Sequence, residues 1–151
     1  MGKGAVTALL EIYADKVDDL KRTISEVSDE KLVHVFDPET RNPDCLSIQT
    51  ILSHVVYAGF GYATTLLNRN GQLQNRPPKQ LFAHVNMYMS ALDDMVNFTR
   101  EVFAEISDEE LETCEESAKM LTGWQQRYDI EQLMEHAIVH ILRHDRQIKN
   151  F

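Results

Sequence analysis

Cysteine is nearly absent: Cys45 and Cys114 stand alone, about seventy positions apart, in segments that read as loops. Neither belongs to a CxxC pair, which excludes zinc-finger and thioredoxin-type sites; two free thiols in a reducing compartment are expected. Basic residues are also in deficit, 15 Lys and Arg against 24 Asp and Glu, for a formal charge of −9. Such a surface repels phosphate backbones and anionic membranes, and no Lys/Arg stripe overrides it, so neither nucleic acid nor a membrane is an expected partner. No apolar run reaches the roughly 18 residues that span a bilayer. Met1 to Leu10 lacks a basic segment followed by a long apolar one, and Gly2 is followed at position 6 by Val6 rather than Ser or Thr. Neither a secretory leader nor a myristoyl anchor is therefore expected, and the cytoplasm is the expected location.

What is present suits one soluble domain over residues 1–151, 43% hydrophobic and 26% charged. A chain of this length buries roughly 68–70% of its unfolded surface and needs no disulfide staples. The apolar period is close to 3.6 almost throughout. Val6, Leu9, Leu10, Tyr13, Val17, Leu20, Ile24 and Val27 predict a helix over about 5–27. Ser28 then caps a new helical start through Leu32. After a loop with Pro38 and Pro43, Ser47 caps a second long helix, about 48–69, carrying Ile48, Ile51, Val55, Ala58, Tyr62 and Leu66. Asn70-Gly71 stops it. Beyond Pro77-Pro78, Val85, Tyr88, Leu92, Met95, Val102 and Ile106 predict a third, about 80–106. Ser107-Asp-Glu-Glu-Leu111 nearly repeats Ser28-Asp-Glu-Lys-Leu32, so two helices end in the same local device. The acidic run 108–110 reads as solvated surface. Residues 112–128, with the only tryptophan, Trp124, read as irregular. Asp129 and Gln132 form a capping box for a last helix that runs to the C-terminus. The expected fold is all-α, a four-helix bundle with long inter-helix connections.

The last helix carries His136, His140 and His144. At about 100° per residue, His144 falls inside the apolar arc of Ile130, Leu133, Met134, Ala137, Ile141 and Ile148. His140 lies at the arc's edge, one turn away, and His136 beyond it, as an outer or surface group. Two imidazoles brought side by side into a core need partners for their ring nitrogens, and one metal ion supplies both; a hydrogen-bonded pair is the plain alternative. A metal needs a third ligand. His34 and His84 sit at or near helix ends, whereas His54 is inside the second long helix, beside Ala58 and Gly61. Position alone leaves His54 open between ligand and ordinary core histidine. Two rival motifs are excluded. Helical zinc proteases need Glu directly after the first His, where Ala137 and Ile141 stand. Di-iron bundles need Glu three residues before His, and Leu133, Ala137 and Ile141 occupy those places.

Helix order, the histidine in Thr50-Ile-Leu-Ser-His54-Val-Val and the run His140-Ile-Leu-Arg-His144-Asp-Arg-Gln147-Ile148 together resemble the DinB/YfiT superfamily of metal-binding four-helix bundles. The resemblance covers essentially the whole chain. Where that family carries Arg-Gly after its last histidine, this chain has Asp145-Arg146. The resemblance implies a mononuclear site on His54, His140 and His144, holding a divalent metal: zinc or nickel first, with iron and manganese as further candidates. It also implies a metal-dependent enzyme of the thiol S-transferase or hydrolase type, with a small-molecule substrate and a low-molecular-weight thiol as cofactor. Three neutral imidazoles leave an ion's charge uncompensated and a position open, where it lowers the pKa of a bound water or thiol. Glu135 and Asp145 are the expected groups to orient the histidines from behind. The alternative is a non-catalytic, metal-stabilised stress or interaction protein. Ile138, Val139 and Leu142 lie outside the apolar arc and predict a homodimer through the last helix.

Overall fold

The helical periodicity is realised as five α-helices in the computed structural model, which describes residues 4–151. Gly2, weighed above for acylation, lies outside them. Helix α1 spans Ala5–Ser25 and buries Tyr13, Val17, Leu20 and Ile24 at spacings of four and three, while Asp15 and Asp18 face solvent. Helix α2 is a single turn and a half, Asp29–Val33, capped by Ser28, whose hydroxyl accepts from Lys31 N at 3.1 Å. Helix α3, Ile48–Leu67, opens on a capping box between Ser47 and Thr50. Helix α4 spans Val85–Phe103. Helix α5, Ile130–Lys149, opens on the expected box between Asp129 and Gln132.

Each long helix packs against two others, in the cyclic order α1–α4–α3–α5 and back to α1. The core they enclose includes Tyr13, Leu20, Leu52, Val55, Leu66, Tyr88, Leu92, Met95, Leu133 and Ile141. Among the described residues the fold is all-α apart from one short hairpin and an isolated antiparallel bridge between Val35 and Ser47. On α3 stands Gly59, where a Cβ would run into the Met95 side chain and meet Tyr13 Oη at 3.1 Å. A larger residue there would overpack a dense interior. Among the described residues no helix is long and apolar enough to cross a membrane. Cys45 and Cys114 are both free.

The near-repeat of Ser28-Asp29 and Ser107-Asp108 has a structural reason. Helices α1 and α4 lie side by side, and each begins without a capping side chain of its own. Asp29, just beyond the end of α1, accepts from Val85 N at 2.9 Å, at the start of α4. Asp108, just beyond the end of α4, accepts from Val6 N at 2.9 Å, at the start of α1. The two helices cap one another, each carboxylate answering otherwise unpaired N–H groups at the positive end of the other's dipole. Asp108 is thus more than solvated surface. Leu32 and Leu111, four residues after each serine, are both buried.

Two segments differ from expectation. Helix α4 starts at Val85 rather than near 80, because Phe82 is held elsewhere: its N–H donates to Tyr88 Oη at 3.0 Å and its carbonyl accepts from Gln49 Nε2 at 2.9 Å. Residues 112–128, expected to be irregular, contain an antiparallel hairpin, β1 (Met120–Leu121) with β2 (Arg127–Tyr128). Its turn is closed by Thr122 N to Gln126 O at 2.8 Å, with Gln125 in the left-handed region at φ 69°. Trp124 sits at the tip. Its Nε1 and Tyr128 Oη both donate to Gln126 Oε1, each at 2.9 Å, which fixes the ring.

Candidate metal centre

Helix α3 contributes His54 and α5 contributes His140 and His144, four residues apart on one face. The packing of α3 on α5 brings the three rings together. His140 Nε2 lies 2.9 Å from His54 Nε2 and 3.2 Å from His144 Nε2. One ligand atom from each residue falls within 4.8 Å of the others, so the three form a group that can hold a metal ion. Those two separations are of the size that nitrogens sharing one ion at bonds of about 2.0–2.1 Å would have.

The groups behind the rings decide what the nitrogens offer. His144 Nδ1 lies 2.9 Å from Gln147 Oε1, an acceptor, so the ring proton sits on Nδ1 and Nε2 presents a lone pair. His54 Nδ1 faces Asp44 Oδ2 at 3.3 Å, and a negative carboxylate there favours the proton on Nδ1. Two lone pairs therefore point toward His140 Nε2, and one proton there can satisfy only one of them. A divalent ion satisfies all three, and the carboxylate–imidazole pair is the usual support for a metal-bound histidine.

Electrostatics keep the rings neutral. His140 is lowered to about 3, chiefly by burial and then by the neighbouring His144 and His54. His144 and His54 are lowered as well, again mainly by burial, against an opposing pull from Gln147 on His144 and from Asp44 on His54. Neutral imidazole is the form that coordinates a metal, so no proton has to be displaced near neutral pH.

The expected outer groups are elsewhere. Glu135 is exposed, and Asp145 accepts from Thr23 Oγ1 at 2.5 Å and pairs with Lys149 at 2.8 Å, joining α5 to α1. Asp44 and Gln147 hold the positions assigned to them.

The chain matches no family model and no curated protein.

His54 and His140 line a cleft of about 600 Å³, while His144 is buried and does not line it. One wall is aromatic. Trp124 stacks on His136 with ring centroids 4.4 Å apart and an interplanar angle of 18°. Tyr62 stands edge-on to both His136 and His140, at 5.6 and 5.9 Å. A polar side of the lining is made by Gln74, Asn75 and Arg76. Ala58 and Gly61 line the cleft beside His54, in keeping with the open volume expected there. His136 lies outside the three-histidine group, and its ring forms part of the aromatic wall rather than open surface. A larger depression of about 800 Å³ lies between the end of α3 and the hairpin. Its cations are already paired, Arg69 with Glu110 at 3.7 Å and Lys119 with Glu116 at 2.7 Å, so it offers no comparable chemistry.

Proposed function

We propose that this chain is a divalent-metal-binding protein of the DinB/YfiT type. On this reading the ring of four long helices is that family's bundle, and the protein works in the cytoplasm as an enzyme of the thiol S-transferase or hydrolase type. The observation that carries the reading is the meeting of three Nε2 atoms, with Asp44 and Gln147 behind two of the rings, beside an open cleft that His54 and His140 line. His54, His140 and His144 would hold the ion, zinc or nickel by preference for imidazole donors, with iron and manganese as weaker candidates. Bound there, it supplies Lewis acidity to an oxygen or sulfur group of a substrate or thiol cofactor. Asp44 and Gln147 orient the rings and raise their basicity. Tyr62, pushed up to about 12 chiefly by burial, keeps its phenolic proton and is a hydrogen-bond donor to a bound molecule. Trp124 and Tyr62 keep water from one side of the cleft.

Thermal melting with and without chelator, at about pH 7.5, tests the metal. Free ion at about 100 times Kd stabilises by about 2.7 kcal/mol. At about 2–4 °C per kcal/mol for a chain of this size, the melting point rises by about 5–11 °C. Coincident curves would refute the reading. Thiol-transfer assays with several low-molecular-weight thiols then test the reaction.

A second reading, a metal-stabilised dimer without catalysis, is favoured by one observation. Val139 and Leu142 on α5 are exposed, while Ile138 is packed against the core. We propose pairing through that face. Light scattering at micromolar concentration is expected to return twice the chain mass, and a monomer mass would exclude it.

A further inference from the structure

The polar side of the cleft contains a cation with spare bonding capacity. Arg76 lies flat on the Tyr57 ring, its guanidinium carbon 3.4 Å from the ring centroid, and its Nη1 donates to Tyr57 O at 3.3 Å. It rests over Gly61, where any Cβ would collide with Nη1, so the missing side chain there is what lets the guanidinium lie against α3. Among the described residues no carboxylate pairs with Arg76, whereas its neighbour Lys79 is spent on Asp44 at 2.6 Å. A guanidinium has five N–H donors, and here a single bond to a backbone carbonyl is made. Stacking has fixed the plane of a fork whose remaining donors suit a planar oxyanion.

The same cleft is lined by the aromatic rings of Trp124 and Tyr62 and by His54 and His140. Residues 57 and 61, which set the height of Arg76, lie three and seven positions beyond His54 on α3. At 1.5 Å per residue that is about 5–10 Å along the axis, the length of a small conjugated molecule. We propose that the cleft binds a small carboxylate with a flat, conjugated body. The carboxylate takes a bidentate pair of hydrogen bonds from Arg76, the flat body lies against Trp124, and the far end reaches His54 and His140. A chain of net charge −9 repels such an anion over most of its surface, so the Arg76 fork is what admits it. This rests on the reading of the cleft as the substrate pocket and names the class of molecule it takes.

Trp124 is the only tryptophan, so its fluorescence reports on this cleft alone. The experiment titrates benzoate, the neutral benzamide and the cationic benzylamine into the full chain. It is run both as purified and after chelator treatment and desalting. Benzoate is expected to change the Trp124 emission saturably and to bind about tenfold more tightly than benzamide. Benzylamine is expected to produce no saturable change. Arg76→Gln, at an exposed position, is expected to bring benzoate down to the benzamide level with the far-UV circular dichroism unchanged. Equal binding of benzoate and benzamide, or benzoate binding that survives Arg76→Gln, would overturn the proposal. The desalted arm separates the two readings. Arg76-dependent benzoate binding without any metal uptake leaves this inference standing and sinks the metalloenzyme. Metal uptake without benzoate selectivity does the reverse.

Discussion

Removing the groups behind the imidazoles should weaken metal binding without touching a ligand, and by amounts that the geometry ranks. Loss of an outer-shell partner costs about 10–100-fold in metal affinity. Asp44 belongs at the low end of that range for Asp44→Ala. Its contact with His54 is long at 3.3 Å, both side chains are about 30% exposed, and Lys79 already neutralises part of its charge from 2.6 Å. About tenfold, or about 1.4 kcal/mol, is the expected loss. Gln147 bonds His144 at 2.9 Å, and His144 is buried at 4% exposure, so Gln147→Ala should cost more, toward about 100-fold. Competition for zinc against a chromophoric chelator at about pH 7.5 measures both. Lys79→Ala serves as the control for loop effects: it strips Asp44 of its partner and should leave affinity level or slightly higher. Wild-type affinity in both Asp44→Ala and Gln147→Ala, or the opposite ranking, would refute the tautomer assignment on which the site rests.

Acid should destabilise the metal-free protein. His140, His144 and His54 have folded values below the unfolded value of about 6.5, so between the two the unfolded chain binds more protons. Stability is full above about pH 6.5 and is lost as pH falls toward about 3; urea midpoints across that range should fall in the wild type and fall less in His140→Ala. Gly59→Ala should cost about 1–3 kcal/mol by overpacking, because the Met95 side chain it meets is itself fully buried; an unchanged urea midpoint would show that the α3–α4 contact is loose. Asp29→Ala and Asp108→Ala should each lower the melting temperature, with the double variant showing the sum, since the two caps lie at opposite ends of the α1–α4 pair. No effect from either would mean that those helix ends are served by water.

The helices were legible because their signals are local. Tyr13, Val17, Leu20 and Ile24 repeat at helical spacing, and the caps Ser47 and Asp129 are followed three residues on by their partners Thr50 and Gln132. The order of burial from His144 through His140 also followed from periodicity. What stayed hidden depends on contacts distant in sequence. The start of α4 was misplaced because Leu81 and Phe82 extend the apolar pattern, and only the bonds from Tyr88 and Gln49 hold Phe82 outside the helix. The hairpin was missed because two-residue strands are too short for an alternating pattern. Glu135 and Asp145 were chosen as neighbours on the same helix, yet His54 is served by Asp44 from the loop before α3. Gln147 was within reach: three residues after His144, it shares a helical face with it. Arg76 gave no signal, since its stack on Tyr57 joins residues nineteen apart.

Elemental analysis of protein purified without chelator bears most directly on the three-histidine centre. Wild type should carry about one divalent ion per chain, and His54→Ala, His140→Ala and His144→Ala should each lose most of it while remaining helical. A metal-free wild type that takes up none on incubation, or a His140→Ala variant that keeps the full complement, would contradict a metal centre on His54, His140 and His144.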